Sequence, residues 1–238
     1  MEFEGIVIRQ TPFRDHDAMV TVLSIDKIRS FLVRGALKYE SKLGPSVNIY
    51  TKSRFQISRG KEGYALRNGE ILASFENIKT NIECLAVQDF MGELTNKLIQ
   101  SDDASYIYPF LEKGLEILNS GFSPYTVALI YFAKVLNVSG YSLNVDSCQI
   151  CGKKDQIIAL SYSDGGFICR DCFSALKHAK SDPNKLKMIR YMFKVGIDNF
   201  NKVEFPKEAC LEIIKELSKF LEHVAQLNIK SIDLLKKI

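Results

Sequence analysis

Apolar and polar residues alternate in short runs through the first third of the chain, as they do in half-buried β-strands. Runs rich in β-branched and aromatic residues cover residues 3–9, 18–25, 30–35, 47–58 and 64–72. Turn-forming residues separate them at Asp26-Lys27, Gly44-Pro45 and Gly60-Lys61-Glu62-Gly63. The fifth run contains Asn68-Gly69, which predicts a turn or a kink. Five short strands with no long helical period indicate a small barrel; an OB-fold is the natural candidate and an SH3-like barrel the alternative.

From about residue 81 the apolar residues recur with the period of an α-helix. The pattern predicts helices over 82–98, 106–118, 125–138 and 182–200, and a last long helix that begins at Pro206. The helix at 125–138 is apolar on nearly all sides, so we expect it at the centre of a bundle. The predicted fold class is therefore α+β: an OB-fold domain over residues 1–80, followed by a helical domain over residues 81–238.

The positive charge of the chain is concentrated in the segment that predicts the barrel. The 238 residues have a net charge of +4, and 46% are apolar, which suits an ordinary globular core. Residues 1–80 contain 13 Lys and Arg against 9 Asp and Glu, whereas residues 81–238 contain 19 of each. This asymmetry suggests a polyanionic partner for the barrel. Neither a signal peptide nor a membrane-length apolar stretch is recognisable, so we expect a cytoplasmic protein.

Two C-x-x-C pairs, Cys148 with Cys151 and Cys169 with Cys172, are separated by 17 residues. This spacing is typical of a structural zinc site in which four thiolates fill the tetrahedron and leave no position for water or substrate. The pattern therefore predicts a Zn²⁺-binding module over residues 148–172, inserted between two helices, that contributes to folding and not to catalysis.

Other uses of these cysteines remain open: two disulfides, a degenerate or partly occupied site, and redox chemistry. A reducing cytosol disfavours disulfides, and a thioredoxin-like redox site needs one C-x-x-C pair, not two. His178 is close enough in sequence to replace a thiolate, but we expect it on the surface of the following helix. Cys84 and Cys210 lie in apolar helical patterns and are expected to be small core residues.

The order of these parts resembles the bacterial RecO family, the recombination mediators of DNA repair. The resemblance covers essentially the whole chain and is carried by residues 5–9, 13–17, 33–36 with Lys38, Ser41 and Lys42, and Gly140-Tyr141 before the cysteine module. The cysteine region is the most specific part. The segment 43–47 is shorter than the apolar, proline-containing segment found in many members, and the barrel is less basic than a strong DNA binder requires.

Binding of single-stranded DNA by such a barrel needs a basic groove for phosphates and flat side chains on which bases stack. The candidate DNA-binding residues fall in the first strand, the loop after it, and the third strand with its loop: Arg9, Arg14, Arg34, Lys38 and Lys42. Phe13, Phe31 and Tyr39 are the neighbouring aromatic candidates, although aromatic residues of small barrels are often core residues instead. His16, between Asp15 and Asp17, marks a polar loop and not a catalytic pair.

The resemblance implies a non-enzymatic protein that binds single- and double-stranded DNA and anneals complementary strands. It also implies work with RecR to load RecA onto strands coated with single-stranded-DNA-binding protein, whose acidic C-terminal tail would dock on the helical body, and association with the nucleoid. The sequence contains neither a Walker A loop nor a deaminase signature. Two alternatives remain: a zinc-ribbon module that binds a protein or structured RNA, and an enzyme on a zinc-stabilised scaffold.

Overall fold

A computed structural model describes residues 1–60 and 63–238. The N-terminal strands are β1 (Glu2–Phe13), β2 (Asp17–Leu23), β3 (Ile28–Val33), β4 (Lys52–Gly60) and β5 (Gly63–Ala73). The helices are α1 (Ile82–Leu98), α2 (Ala104–Asn119), α3 (Pro124–Val138), α4 (Pro183–Lys194), α5 (Lys207–Ala225) and α6 (Ile232–Leu235). Strands β6 (Asn144–Cys148), β7 (Ile157–Ser161) and β8 (Gly166–Cys169) lie between α3 and α4.

The first five strands close into a barrel in the order β1-β2-β3-β5-β4. Strand β1 pairs with both β2 and β4, and the parallel contact of Leu32 with Ala65 joins β3 to β5. The rings of Phe31 and Phe55 pack 5.5 Å apart in the barrel interior. The predicted fold class, a five-stranded barrel followed by helices, is confirmed.

Strand β4 begins later than the pattern predicts. Residues 44–47 form a 3-10 helix instead of the start of a strand, because Pro45 has no N–H for a β-ladder and its fixed φ suits a first helical turn. Tyr50 then adopts φ +64°, which reverses the chain before β4 begins at Lys52. Tyr50 packs against Gly92 of α1 so closely that a Cβ on that glycine would lie 2.0 Å from the Tyr50 hydroxyl.

Strand β5 continues through Asn68-Gly69 without ending, so this dipeptide does not make a turn. The register against β4 shifts by one residue there, since Asn68 pairs with Gln56 and Leu66 with Ile57, which leaves Arg67 in a bulge. Of the predicted alternatives the kink is therefore correct. The turn predicted at 60–63 includes two residues that lie outside the described ones.

The helical body is organised around α3, as its all-round apolar pattern predicts. Twelve consecutive residues of this helix, from Tyr125 to Leu136, are buried. Helix α4 ends at Lys194, before the predicted end at residue 200, because the chain turns extended at Val195 and a short 3-10 helix follows at 197–199. The side chain of Asp182 caps the N-terminus of α4 by accepting hydrogen bonds from two backbone N–H groups.

Helices α1 and α2 hold the barrel against the body. Ile6 and Ile8 of β1 point out of the barrel and pack in the core of the helical body. The Asn96 side chain donates a hydrogen bond of 2.6 Å to the carbonyl of Ile8, and Lys52 forms an ion pair with Glu112 at 2.5 Å. Among the described residues, no helix has the length and apolar character needed to span a membrane.

Candidate metal centre and nucleic-acid interface

The four cysteines of the C-x-x-C pairs come together at the ends of two neighbouring strands. Cys148 is the last residue of β6 and Cys169 the last residue of β8, and these strands are parallel neighbours in the three-stranded sheet. A tight turn follows each strand and returns the second cysteine of the pair. The N–H of Gly152 closes the first turn on the carbonyl of Cys148 at 2.9 Å, and Gly152 has φ +75°, a value that favours glycine.

The four sulfur atoms lie within 4.8 Å of one another, and the Sγ atoms of Cys151 and Cys169 are 3.6 Å apart. A tetrahedral thiolate site with metal–sulfur bonds of about 2.3 Å needs sulfur atoms roughly 3.8 Å apart. The donor set and its spacing therefore fit one tetrahedral metal ion. All four thiols are free, so the cysteines are not paired as disulfides.

The surroundings favour ionised sulfur at the first cysteine. Burial raises the pKa of Cys148, but hydrogen bonds from backbone groups of Cys169 and Cys151 outweigh it and lower the pKa to about 6. The Lys153 ammonium pairs with Asp171, so an ion pair joins the two turns across the site. These contacts hold both turns in the arrangement that a metal ion needs.

The prediction that His178 lies on the surface of a helix is wrong. It lies in a loop with only 2% of its side chain exposed. Its Nδ1 accepts a hydrogen bond from the backbone N–H of Ser174, and its Nε2 lies 3.0 Å from a carboxylate oxygen of Asp164. With Nδ1 as an acceptor, Nε2 is the nitrogen that donates toward Asp164. Both nitrogens are occupied, so His178 braces the loop after Cys172 instead of binding metal. Cys84 and Cys210 are buried, as predicted.

The candidate DNA-binding residues lie along one side of the barrel. On the outer face of β1, β2 and β3, Arg9 pairs with Thr21, and Thr21 pairs in turn with Ser30. Phe13 is the last residue of β1 on this face and pairs with Asp17. It lies four residues, and thus about 13 Å, from Arg9 along the strand. Arg9 is exposed on this face, at a distance from the loops that carry the other candidates.

The loop after β1 and the loop after β3 are tied together at the end of this face. The Asp17 carboxylate accepts a hydrogen bond of 2.8 Å from the N–H of Gly35, and the His16 carbonyl accepts one of 3.0 Å from Leu37. The structure therefore gathers Arg14, Arg34 and Lys38 into one group, all exposed, with Lys42 in the same loop. We call this group, residues 14 and 34–42, the loop surface.

The three aromatic candidates have different fates. Phe13 is 38% exposed, with the Arg14 guanidinium 5.0 Å from the centre of its ring. Tyr39 is fully exposed in the loop surface, whereas Phe31 is buried in the barrel core. Phe13 and Tyr39 are thus exposed at the surface, and the core interpretation holds for Phe31.

Other basic side chains of the barrel are held by carboxylates. Arg29 pairs with Asp26, Lys52 with Glu112, and Arg54 with Glu4 and Glu70. Arg34, Lys38 and Lys42 form no ion pair with any described residue. The loop surface and its neighbour 15–17 also contain Asp15, Asp17 and Glu40, which keep the local excess of positive charge small.

The sequence did not predict that β4 and β5 add exposed residues to the side of the barrel that carries the candidate DNA-binding residues. The parallel contact of Leu32 with Ala65 brings the start of β5 beside β3, with exposed Tyr64 next to it and exposed Arg59 opposite Tyr64 on β4. Arg67 is exposed at the bulge and donates to the Ser58 hydroxyl at 2.6 Å. In OB-folds the β1–β2 and β4–β5 loops flank the binding face. No local signal in the sequence reveals this pairing, because it joins residues more than 30 positions apart.

Known proteins are similar to this chain over nearly its whole length. The family model "Recombination protein O N terminal" matches residues 1–75, and "Recombination protein O C terminal" matches residues 79–233. A DNA repair protein RecO of Bacillus cytotoxicus is 29% identical over 238 residues, which cover 96% of this chain and 93% of that protein. Those of Listeria monocytogenes and Bacillus cereus are each 28% identical over 96% of this chain, and over 91% and 93% of their own lengths.

Proposed function

Because this chain belongs to the RecO family of DNA repair proteins, we propose that it is a non-enzymatic mediator that binds single- and double-stranded DNA and anneals complementary strands. The observation that carries the proposal is the loop surface, where Arg34, Lys38 and Lys42 share one loop segment with the exposed ring of Tyr39 and have no ion-pair partner among the described residues. Cations and flat rings side by side are what single-strand recognition uses.

The chemistry of annealing follows from these groups. Arg and Lys side chains displace the counterions of the phosphates and reduce the repulsion between two strands. Exposed rings such as those of Phe13 and Tyr39 stack on bases of any sequence, so the strand is held without selection. Arg9, on the same outer face of the barrel, provides a further contact for the DNA phosphate backbone beyond the loop surface. No covalent step is required.

We propose that Zn²⁺ is the ion held by Cys148, Cys151, Cys169 and Cys172. Zinc supplies a rigid tetrahedral link, since four thiolates leave it no open position for chemistry. Its effect is to fix the turns at the ends of β6 and β8, and through them the start of α4. The module therefore contributes to stability and not to the affinity of the barrel for DNA.

The partners that we propose are RecR, RecA and the coating protein of single strands, whose acidic tail would dock on the helical body, in the cytoplasm at the nucleoid. These assignments rest on the family. A zinc-ribbon module that binds protein or RNA is the competing function, and it predicts little response to salt or to the loss of barrel cations.

The test is the affinity for a fluorescent single-stranded oligonucleotide as a function of salt. We expect Arg34→Gln, Lys38→Gln and Lys42→Gln together to weaken binding and to reduce the slope of log K against log salt by about 2, or roughly 0.7 for each lost contact. A charge-matched control replaces Lys215, Lys219 and Lys230, three exposed lysines of the helical body. Equal effects of both triple variants would contradict the assignment of the loop surface.

A further inference from the structure

The charge balance of the helical body conceals a strongly basic segment. Residues 170–202 contain eight Lys and Arg against three Asp and Glu, although residues 81–238 as a whole are balanced. Within this segment α4 has four basic residues and no acidic one. The charge is therefore segregated along the chain, and the average over the domain hides it.

Helix α4 displays these cations on its outer side. Leu186, Ile189 and Phe193 are buried against the body. Lys187, Arg190 and Lys194 are exposed, because they fall on the opposite side of the helical turn. Together with Lys202, they line a groove of about 610 Å³ between α4 and the segment after it. We call these four residues the α4 ridge.

The ridge keeps most of its charge. Asp146 is the carboxylate that reaches it, 2.8 Å from Lys194 and 3.8 Å from Arg190. Lys187 and Lys202 form no ion pair with a described residue. Among the described residues that line the groove, none is acidic. The ridge thus has a net positive charge of about three, concentrated on one short helix.

The groove also has a fixed aromatic wall. The Tyr191 hydroxyl donates a hydrogen bond of 2.9 Å to the carbonyl of Asn199, and its ring packs edge-on against Phe205 at 5.5 Å. A half-buried ring in a defined position, beside cations, is a surface for a sugar or base and not only for a phosphate. An acidic peptide would not require it, and this favours nucleic acid as the ligand.

The helix that carries most of the α4 ridge has its main packing contacts with elements other than the barrel strands. Helix α4 packs on α3 and on strands β6 and β7, whereas α1 packs on β1 of the barrel. From Lys187 to Lys194 the helix spans roughly 10 Å, which equals the axial rise of about three nucleotides in one strand of a duplex. The ridge and the loop surface are thus separate cationic surfaces on one chain.

We propose that the α4 ridge binds the phosphodiester backbone of a second nucleic-acid strand while the barrel holds the first. This inference rests on the proposed function, in which the barrel binds DNA, and adds the place where the complementary strand is presented. One chain then raises the local concentration of the second strand, which converts a bimolecular encounter into a search within one complex.

The experiment counts strands on each protein chain by native mass spectrometry, using two non-complementary 15-mers, and measures the annealing rate of complementary ones. The ridge variant replaces Lys187, Arg190 and Lys202 by Gln and keeps Lys194, which retains its ion pair with Asp146. The charge-matched control is the Lys215, Lys219 and Lys230 triple variant, and the barrel variant is the Arg34, Lys38 and Lys42 triple variant.

We expect the wild type and the control to hold two strands per chain, and the ridge variant to hold one with the affinity of the first strand unchanged. Annealing by the ridge variant should fall on the order of tenfold, as expected when three phosphate contacts are lost. Two strands on the ridge variant, with normal annealing, would overturn the proposal and leave the function of the barrel intact. If the wild type binds no strand, the proposed function itself fails.

Discussion

Lys134 provides a test of how the helical body tolerates charge. It lies in the middle of α3 with only 2% of its surface exposed. Its Nζ donates to the carbonyl of Phe193 at 2.9 Å and lies 5.4 Å from the centre of the Phe110 ring. No carboxylate of the described residues is within ion-pair distance. Burial, with a smaller contribution from Lys194, lowers the pKa of Lys134 to about 8.

The cost of this buried ammonium follows from its pKa. The interval between the ordinary value of 10.5 and about 8 corresponds to about 3 kcal/mol at 1.36 kcal/mol per pH unit. The unfolded chain binds the proton more tightly, so stability rises with pH between about 8 and 10.5, and below about 8 the native state bears the full cost.

Lys134→Met should therefore stabilise the protein at pH 7. Methionine has nearly the same length and adapts to an irregular site. The carbonyl of Phe193 keeps a hydrogen bond of 3.3 Å from Asn137. Subtracting about 1 kcal/mol for the lost lysine hydrogen bond leaves a gain of about 2 kcal/mol.

The assay is urea unfolding of wild type and variant at pH 7 and pH 10. The gain should shrink at pH 10, where the lysine of the folded wild type is neutral. The control is Lys215→Met on the exposed side of α5, which should not reproduce the gain in stability at pH 7. A loss of stability in Lys134→Met that is equal at both pH values would refute the reasoning, because it would mean that the surroundings stabilise the ammonium.

Three further variants test the metal site and two internal contacts. Cys148→Ser should abolish stoichiometric zinc in elemental analysis and lower the melting temperature, while the affinity of the barrel for single strands hardly changes. Gly92→Ala should cost about 1–3 kcal/mol in urea unfolding, because its Cβ would meet the Tyr50 hydroxyl at 2.0 Å. Burial raises the pKa of Glu93, but hydrogen bonds, including those from Ser231, outweigh burial and lower the pKa to about 2. The wild type therefore loses stability as the pH falls from 4.5 to about 2, and Glu93→Gln should lack this pH-dependent contribution. Unfolding of both proteins across this pH range measures the difference.

Features of the fold with a local cause could be predicted from the sequence. The alternating runs place all five barrel strands, and the all-round apolar pattern of 125–138 places α3 at the centre. The paired C-x-x-C spacing predicts the sulfur cluster, since each pair needs only one tight turn to bring its thiols together. Pattern and structure agree there because the determinants lie within a few residues of each other.

Features of the fold that depend on residues distant in sequence could not be predicted in this way. The start of β4 depends on Tyr50, whose left-handed conformation is supported by packing on Gly92, 42 residues away in sequence. His178 is polar and looks like a surface residue until Asp164 and Ser174 are seen to occupy both of its nitrogens. The burial of Lys134 has a distant cause as well, since its contacts are with Phe193 of α4 and Phe110 of α2.

The most direct test of the account is annealing of complementary oligonucleotides coated with single-stranded-DNA-binding protein, measured at two salt concentrations with wild type and the loop-surface triple variant. We predict that the wild type accelerates annealing, that salt weakens the effect, and that the triple variant at Arg34, Lys38 and Lys42 loses most of it. Acceleration that persists in the triple variant and ignores salt would contradict the claim that this barrel surface binds DNA.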